Sequence, residues 1–218
     1  STIPAILPAA ISGAHRYAKA GLVDWRIAWT CGLAGTVLAV VGAKTSDVVD
    51  ARWLMVLTAG LLMWSGIGSV RKGLHHAAEP TGDPVAQPAP SRLGNGWSAT
   101  VLIAAVGAVA GFVAGLLGIG GGVIMVPLFT NVLRLPVKVA VASSLVAVAM
   151  LSVPAMISHA LLGHIDWTVA LLLTAGTVPG ARVGSHIALG TAERRMHLML
   201  GAFFCIIAVL YGGRELTG

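Results

Sequence analysis

Seven long apolar runs, separated by short polar joints, make up most of this chain. The first covers residues 2–14, reaches toward Ala20, and is interrupted by Pro4 and Pro8. The second covers 27–43 and the third 53–70. After a polar interval come a fourth at 99–133, a fifth at 137–162, a sixth at 169–189 and a seventh at 196–211. Each predicts a helix long enough to cross a bilayer, where a crossing takes about 20 residues, and the fourth is longer than one crossing needs. The interval 71–98 carries four prolines, small polar residues and no apolar periodicity, which predicts a flexible linker.

The fourth run is the least regular. Gly107, Gly111 and Gly115 recur every four residues, so on a helix they form one smooth seam. Seams of small residues let helices approach closely inside a membrane. Gly118, Gly120, Gly121 and Gly122 then crowd together, and Pro127 follows. Glycine carries the largest helix penalty after proline, so the pattern predicts a break at that point. Non-helical backbone at membrane depth persists only where protein buries it or where it lines a polar cavity.

Composition supports a membrane class. Hydrophobic residues are 56% of the 218 and charged ones 10%, and the mean hydropathy is +0.88. A soluble domain carries roughly 25% charge. The net charge of +6 does not point to nucleic acid, because the 14 Lys and Arg lie mostly between the apolar runs. Cys31 and Cys205 sit inside apolar runs, which argues against a disulfide or a metal site.

The chain also repeats itself. A shift of 142 residues places Gly21, Asp24, Trp25 and Ala28 on Gly163, Asp166, Trp167 and Ala170. The same shift, without a gap, puts Ser1 and Thr2 on Ser143 and Ser144, Val41-Gly42 on Val183-Gly184, and Arg52 on Arg194. One offset shared by three runs and their joints predicts two homologous halves: 1–73, a linker 74–97, and 98–215. The second half has a glycine-break segment ahead of its Ser-Ser, whereas the first opens on its Ser-Thr. The partner of that segment is therefore expected upstream of Ser1.

Three stretches carry a resemblance: GFVAGLLGIGGGVIMVPLF at 111–129, VKVAVASSL at 137–145, and GHIDWTVALLLTAGTVPGARVGSHIA at 163–188. In that order the sequence resembles the sulfite exporter TauE/SafE family, over all of the second half and more loosely over 1–73. The resemblance implies a polytopic permease of the bacterial inner membrane that handles sulfite or other small organosulfur anions.

The residues supply candidate chemistry of their own. Backbone N–H groups freed at Gly118, Gly120, Gly121 and Gly122 form an anion-binding nest if the following half-helix points its positive end into it. The alternative is that these glycines only permit close packing and a kink. Ser143 and Ser144, with Ser1 and Thr2 as repeat mates, place hydroxyl donors for a sulfo oxygen early in equivalent helices. Serines within spans also bond back to their own helix. Arg182 lies two-thirds along the sixth run, behind Pro179-Gly180, where an ionisable side chain serves function or snorkels to the span end. His159 and His186 read as interfacial, and Asn131 as a cap on the half-helix after Pro127. Asp24 and Asp166 read as N-caps, with Trp25 and Trp167 at the headgroup belt.

Charge placement bears on topology. If 99–133 crosses once, Arg134, Lys138, Arg194 and Arg195 lie opposite Arg16, Lys19, Arg26, Arg71, Lys72 and Arg92, and the bias nearly vanishes. If it enters and returns, all ten share a side, against Lys44, Arg52 and Arg214. The positive-inside rule favours the hairpin and an inverted relation between the halves.

The expectation is thus an all-α polytopic membrane protein of two inverted repeats with broken glycine-rich helices. It moves a small anion and uses no cofactor, metal or nucleic acid. An intramembrane enzyme lacks a nucleophile–base set or paired carboxylates in this sequence. The alternative from another class is a non-transporting membrane scaffold or accessory subunit derived from a transporter.

Overall fold

The computed structural model describes residues 3–46, 51–75, 96–117, 121–161 and 167–217, and those residues form eight α-helices. They are α1 (Ile3–Lys19), α2 (Trp25–Ser46), α3 (Ala51–His75), α4 (Trp97–Leu117), α5 (Gly122–Asn131), α6 (Val137–Leu161), α7 (Trp167–Gly190) and α8 (Glu193–Thr217). Six helices follow six of the apolar runs, and the fourth run divides into α4 and the ten-residue α5. Among the described residues, three stretches are both long and apolar enough to cross a bilayer: Trp25–Thr45, Trp97–Leu117 and Val137–Pro154.

Glycine governs the closest helix contact. Gly107 lies on Cys31, Gly111 on Gly35 and Gly115 on Ala39, so α2 and α4 run parallel with equal steps along both. A methyl group on Gly107 would stand 2.5 Å from the Cys31 Cα, and one on Gly111 would meet the Gly35 carbonyl. Only hydrogen fits there, and the seam predicted from spacing is this interface. On the adjoining face of α2, Gly32 meets Met150 and Gly35 meets Leu151 of α6, in a second parallel contact. The α3–α8 pair is antiparallel, with Gly66 on Cys205 and Gly73 on Leu198.

The parallel sense of α2, α4 and α6 fixes the role of α5. Arg26 at the start of α2 reaches Thr100 at the start of α4, and the Asp24 amide reaches Ser143 in the second turn of α6. Since α4 and α6 begin at the same end of the bundle, α5 must carry the chain back to it. Gly121 lies beside Val148 and Leu151, well along α6, and the chain has returned to the start of α6 by Val137. This is the hairpin that the charge distribution favours.

Two lysines tie down that end. Lys72 Nζ donates to the Thr130 carbonyl at 2.7 Å, and Lys138 Nζ to the Leu189 carbonyl at 2.9 Å. Both acceptors belong to the last turn of a helix, where carbonyls lack intrahelical partners and the dipole is negative. Glu193 does the converse at a helix start, accepting the Val137 N–H at 2.9 Å.

The main core gathers Ile27, Cys31, Ile103, Met125 and Phe129 from α2, α4 and α5 against Ala140, Ala147 and Leu151 of α6. A smaller cluster joins Leu62 of α3 to Phe204 and Ala208 of α8, and Val123 of α5 packs against it. The short helix therefore sits between the two cores. Outward lie apolar rows, Leu171 and Leu172 on α7 and Phe203, Ile206, Val209 and Leu210 on α8, all exposed. Rows of this kind suit hydrocarbon.

Candidate functional site

The site is organised by one backbone conformation. Gly121 is the N-cap of α5 and has φ of 76°, in the left-handed region that side chains other than hydrogen rarely occupy. Its carbonyl accepts the N–H groups of Ile124 and Met125, at 3.2 and 2.9 Å, and so starts the half-helix. The residue is buried, with Ala114, Leu151 and Val148 as its nearest neighbours. Gly122 is half-buried beside Val148. The first N–H groups of any helix have no partner within it, so the start of α5 places donors and a positive dipole end inside the bundle. Gly118 and Gly120 lie outside the described residues, as do Ser1 and Thr2.

The two serines on α6 serve different ends. Ser143 is fully buried, and its Oγ accepts the Asp24 N–H at 3.0 Å. A hydroxyl accepting in this way still carries one donor. Ser144 is also buried, but its Oγ donates to the Val141 carbonyl at 2.9 Å, the back-bond anticipated as the alternative. Gly121 and Gly122 contact α6 at Val148, one helical turn beyond Ser144. The structure thus brings the glycine break and the serine pair onto neighbouring turns of one helix.

Asp24 caps α2 as expected, its Oδ1 accepting the Ile27 N–H at 3.1 Å. Asp166 and the side chain of His159 lie outside the described residues. Asn131 is the last residue of α5, and the C-cap is Val132, whose N–H reaches the Leu128 carbonyl.

Arg182 is placed elsewhere. Its Nε donates to Ser12 Oγ on α1 at 3.2 Å, and its carbonyl accepts from Arg16 Nη1 at 3.1 Å. Its contacts are with α1, and the structure does not bring it to the glycine break.

One buried polar group had no sequence signal. Ser65 on α3 is 2% exposed, and its Oγ has no hydrogen-bond partner among the described residues. It lies one turn beyond Leu62, whose cluster receives Val123 at the start of α5. An unpaired buried hydroxyl costs roughly 1–3 kcal/mol. In the sequence it was one small residue in an apolar run.

Apolar rows turned outward and a helix interrupted inside occur together in chains that cross a bilayer several times and keep a polar place within. That is the construction of a multi-pass membrane transporter rather than an enzyme. The chain belongs to the sulfite exporter TauE/SafE family, whose profile matches residues 1–211. A probable membrane transporter protein, YunE of Bacillus subtilis, is 41% identical over 83 residues, 38% of this chain and 30% of that protein. A probable membrane transporter protein of Xylella fastidiosa is 26% identical over 206 residues, 88% of this chain and 70% of the relative. Sulfite exporter TauE/SafE family protein 3 of Arabidopsis thaliana is 34% identical over 119 residues, 52% of this chain and 25% of its own length. No solved structure matches the chain.

Proposed function

We propose that the protein is a secondary carrier or facilitator in the bacterial inner membrane, moving a small anion, sulfite or an organosulfonate. The observation that carries this reading is Gly121: a left-handed, buried N-cap that opens a ten-residue helix between the two cores. The nest of Gly118, Gly120, Gly121 and Gly122 receives the anion, and Ser143 and Ser144 flank it from α6. Ser1 and Thr2 are their counterparts in the other half. Broken helices whose positive ends face anionic groups are a recurring transporter device. The family description, a sulfite exporter, supports the substrate class.

The substrate path runs between two inverted halves, residues 1–73 and 98–215. Mirrored contacts support this: α1 lies along α7 in the same parallel sense as α6 along α2, and the 142-residue shift carries one pair onto the other. The equivalent helices α3 and α8 run antiparallel, as an axis in the membrane plane requires. The basic end of the bundle faces the cytoplasm.

The experiment is uptake and efflux of sulfite, sulfoacetate and sulfate by the full-length protein in proteoliposomes, beside a Gly121→Leu variant. Normal transport by the variant would overturn the nest. Equal movement of cations and anions would remove the substrate class.

A further inference from the structure

Two arginines, one from each helix, bridge α1 and α7 where they lie together. Arg16 Nη1 donates to the Arg182 carbonyl at 3.1 Å, and Arg16 Nη2 lies 3.4 Å from His186 Nδ1. Arg182 Nε donates to Ser12 Oγ at 3.2 Å. A guanidinium has only donors, so His186 Nδ1 must be the acceptor and the ring proton sits on Nε2. Every acceptor these arginines meet in those contacts is neutral. The Asp24 and Glu193 carboxylates are engaged elsewhere, on the N–H groups of Ile27 and Val137.

Snorkelling does not account for the arrangement. Arg182 stands eight residues before the end of α7, about 12 Å along the axis at 1.5 Å per residue. Its side chain is tied across to α1 at Ser12 instead of being left free to extend along its own helix. Arg16 lies in the last turn of α1 and reaches the same place. The fold therefore gathers two permanent positive charges and an imidazole along the α1–α7 contact, and none of the groups these arginines meet there is a carboxylate. An oxyanion would supply both the missing charge and the acceptors, and paired guanidinium groups suit its geometry.

We propose that Arg16, Arg182 and His186 form an oxyanion site at the α1–α7 contact, distinct from the glycine break, for a phosphate- or sulfo-type group. It lies toward the basic end of the bundle and is open at its surface: Arg182 and His186 are exposed and Arg16 half-buried. Two sources can present that chemistry, a soluble anion or the headgroup of an anionic lipid.

The test uses the purified full-length protein in nanodiscs. One arm measures binding of radiolabelled inorganic phosphate. The other counts, by native mass spectrometry, phosphatidylglycerol against phosphatidylcholine retained after release. Wild-type protein binds at least one of the two, and Arg16→Gln with Arg182→Gln weakens that binding at least tenfold. Arg182→Lys keeps the charge without the planar fork and falls between. Phosphate binding that depends on the arginines identifies a soluble ligand, and arginine-dependent retention of phosphatidylglycerol alone identifies a lipid headgroup. Gly121→Leu, provided it elutes as a monodisperse species, binds as wild type does. The proposal is overturned if wild-type protein binds neither ligand, if the arginine variant binds as well as wild type, or if monodisperse Gly121→Leu loses binding too.

Discussion

The Asp24 N–H donates to Ser143 Oγ at 3.0 Å, joining the cap of α2 to the second turn of α6 across 119 positions of chain. Asp24 thus holds both ends of a relay, since its own Oδ1 accepts the Ile27 N–H at the head of α2. Ser143→Ala removes the acceptor from a part-buried amide and is expected to lower stability by ~1–3 kcal/mol. Ser144→Ala loses only a back-bond within α6 and is expected to change stability by about 0.5 kcal/mol or less. Thermal unfolding of the two variants in detergent checks the order; equal effects would mean that the tie to Asp24 contributes nothing.

Gly121→Ala forces a side chain into the left-handed region, at about 1–2 kcal/mol of backbone strain. The space would admit the methyl, whose nearest neighbour is the Ala114 Cβ at 3.4 Å. Strain without a severe clash predicts a protein that folds, with a lower melting temperature and slower transport of sulfite. Proteoliposome flux normalised to folded protein is the measurement.

Gly42 and Gly184 occupy equivalent positions under the 142-residue shift, yet α4 closes over only the first. A Cβ on Gly42 would run into the Phe112 carbonyl, while one on Gly184 meets nothing within 4 Å. Gly42→Ala is expected to cost ~1–3 kcal/mol through overpacking. Gly184→Ala is expected to be neutral or slightly stabilising, because alanine favours helix by up to about 1 kcal/mol. Chemical denaturation in mixed micelles distinguishes them.

Lys138→Met keeps the apolar stem and deletes the ammonium that serves the Leu189 carbonyl. A loss of about 1 kcal/mol is expected, a modest value for a charged donor on a partly buried site. Faster hydrogen exchange in the last turn of α7, with the rest of that helix unchanged, would locate the effect. Uniform change along the helix would show that the contact is not local.

Much of the architecture was legible because membrane constraints write themselves into sequence. The glycine seam at 107, 111 and 115 announced a close approach, and only the partner face, Cys31, Gly35 and Ala39, awaited the structure. The break at Gly121 followed from glycine chemistry, and the return of α5 followed from where the lysines and arginines lie. Side-chain destinations were not legible. A buried serine looks the same in sequence whether it faces a ligand, its own helix or a distant amide, and Ser143 and Ser144 differ in just that respect. By depth alone Arg182 reads as functional or as snorkelling, whereas its partners Ser12 and Arg16 come from a helix 166 or more positions away. Ser65 gave no signal because an isolated hydroxyl has no period.

The α2–α4 contact also has a mechanical meaning. Hydrogen faces backbone at Gly107, Gly111 and Gly115, so at those three levels no side chain stands between the two helices to change rotamer. A slip of one residue along the axis would drive Phe112 or Ala108 into a slot sized for hydrogen. The pair therefore behaves as a single stiff plank. Relative motion in the fold is left to contacts made through adaptable side chains, such as Met150 against Gly32 and the arginines between α1 and α7. Close backbone contact thus makes α2 and α4 the pair least free to shift against each other.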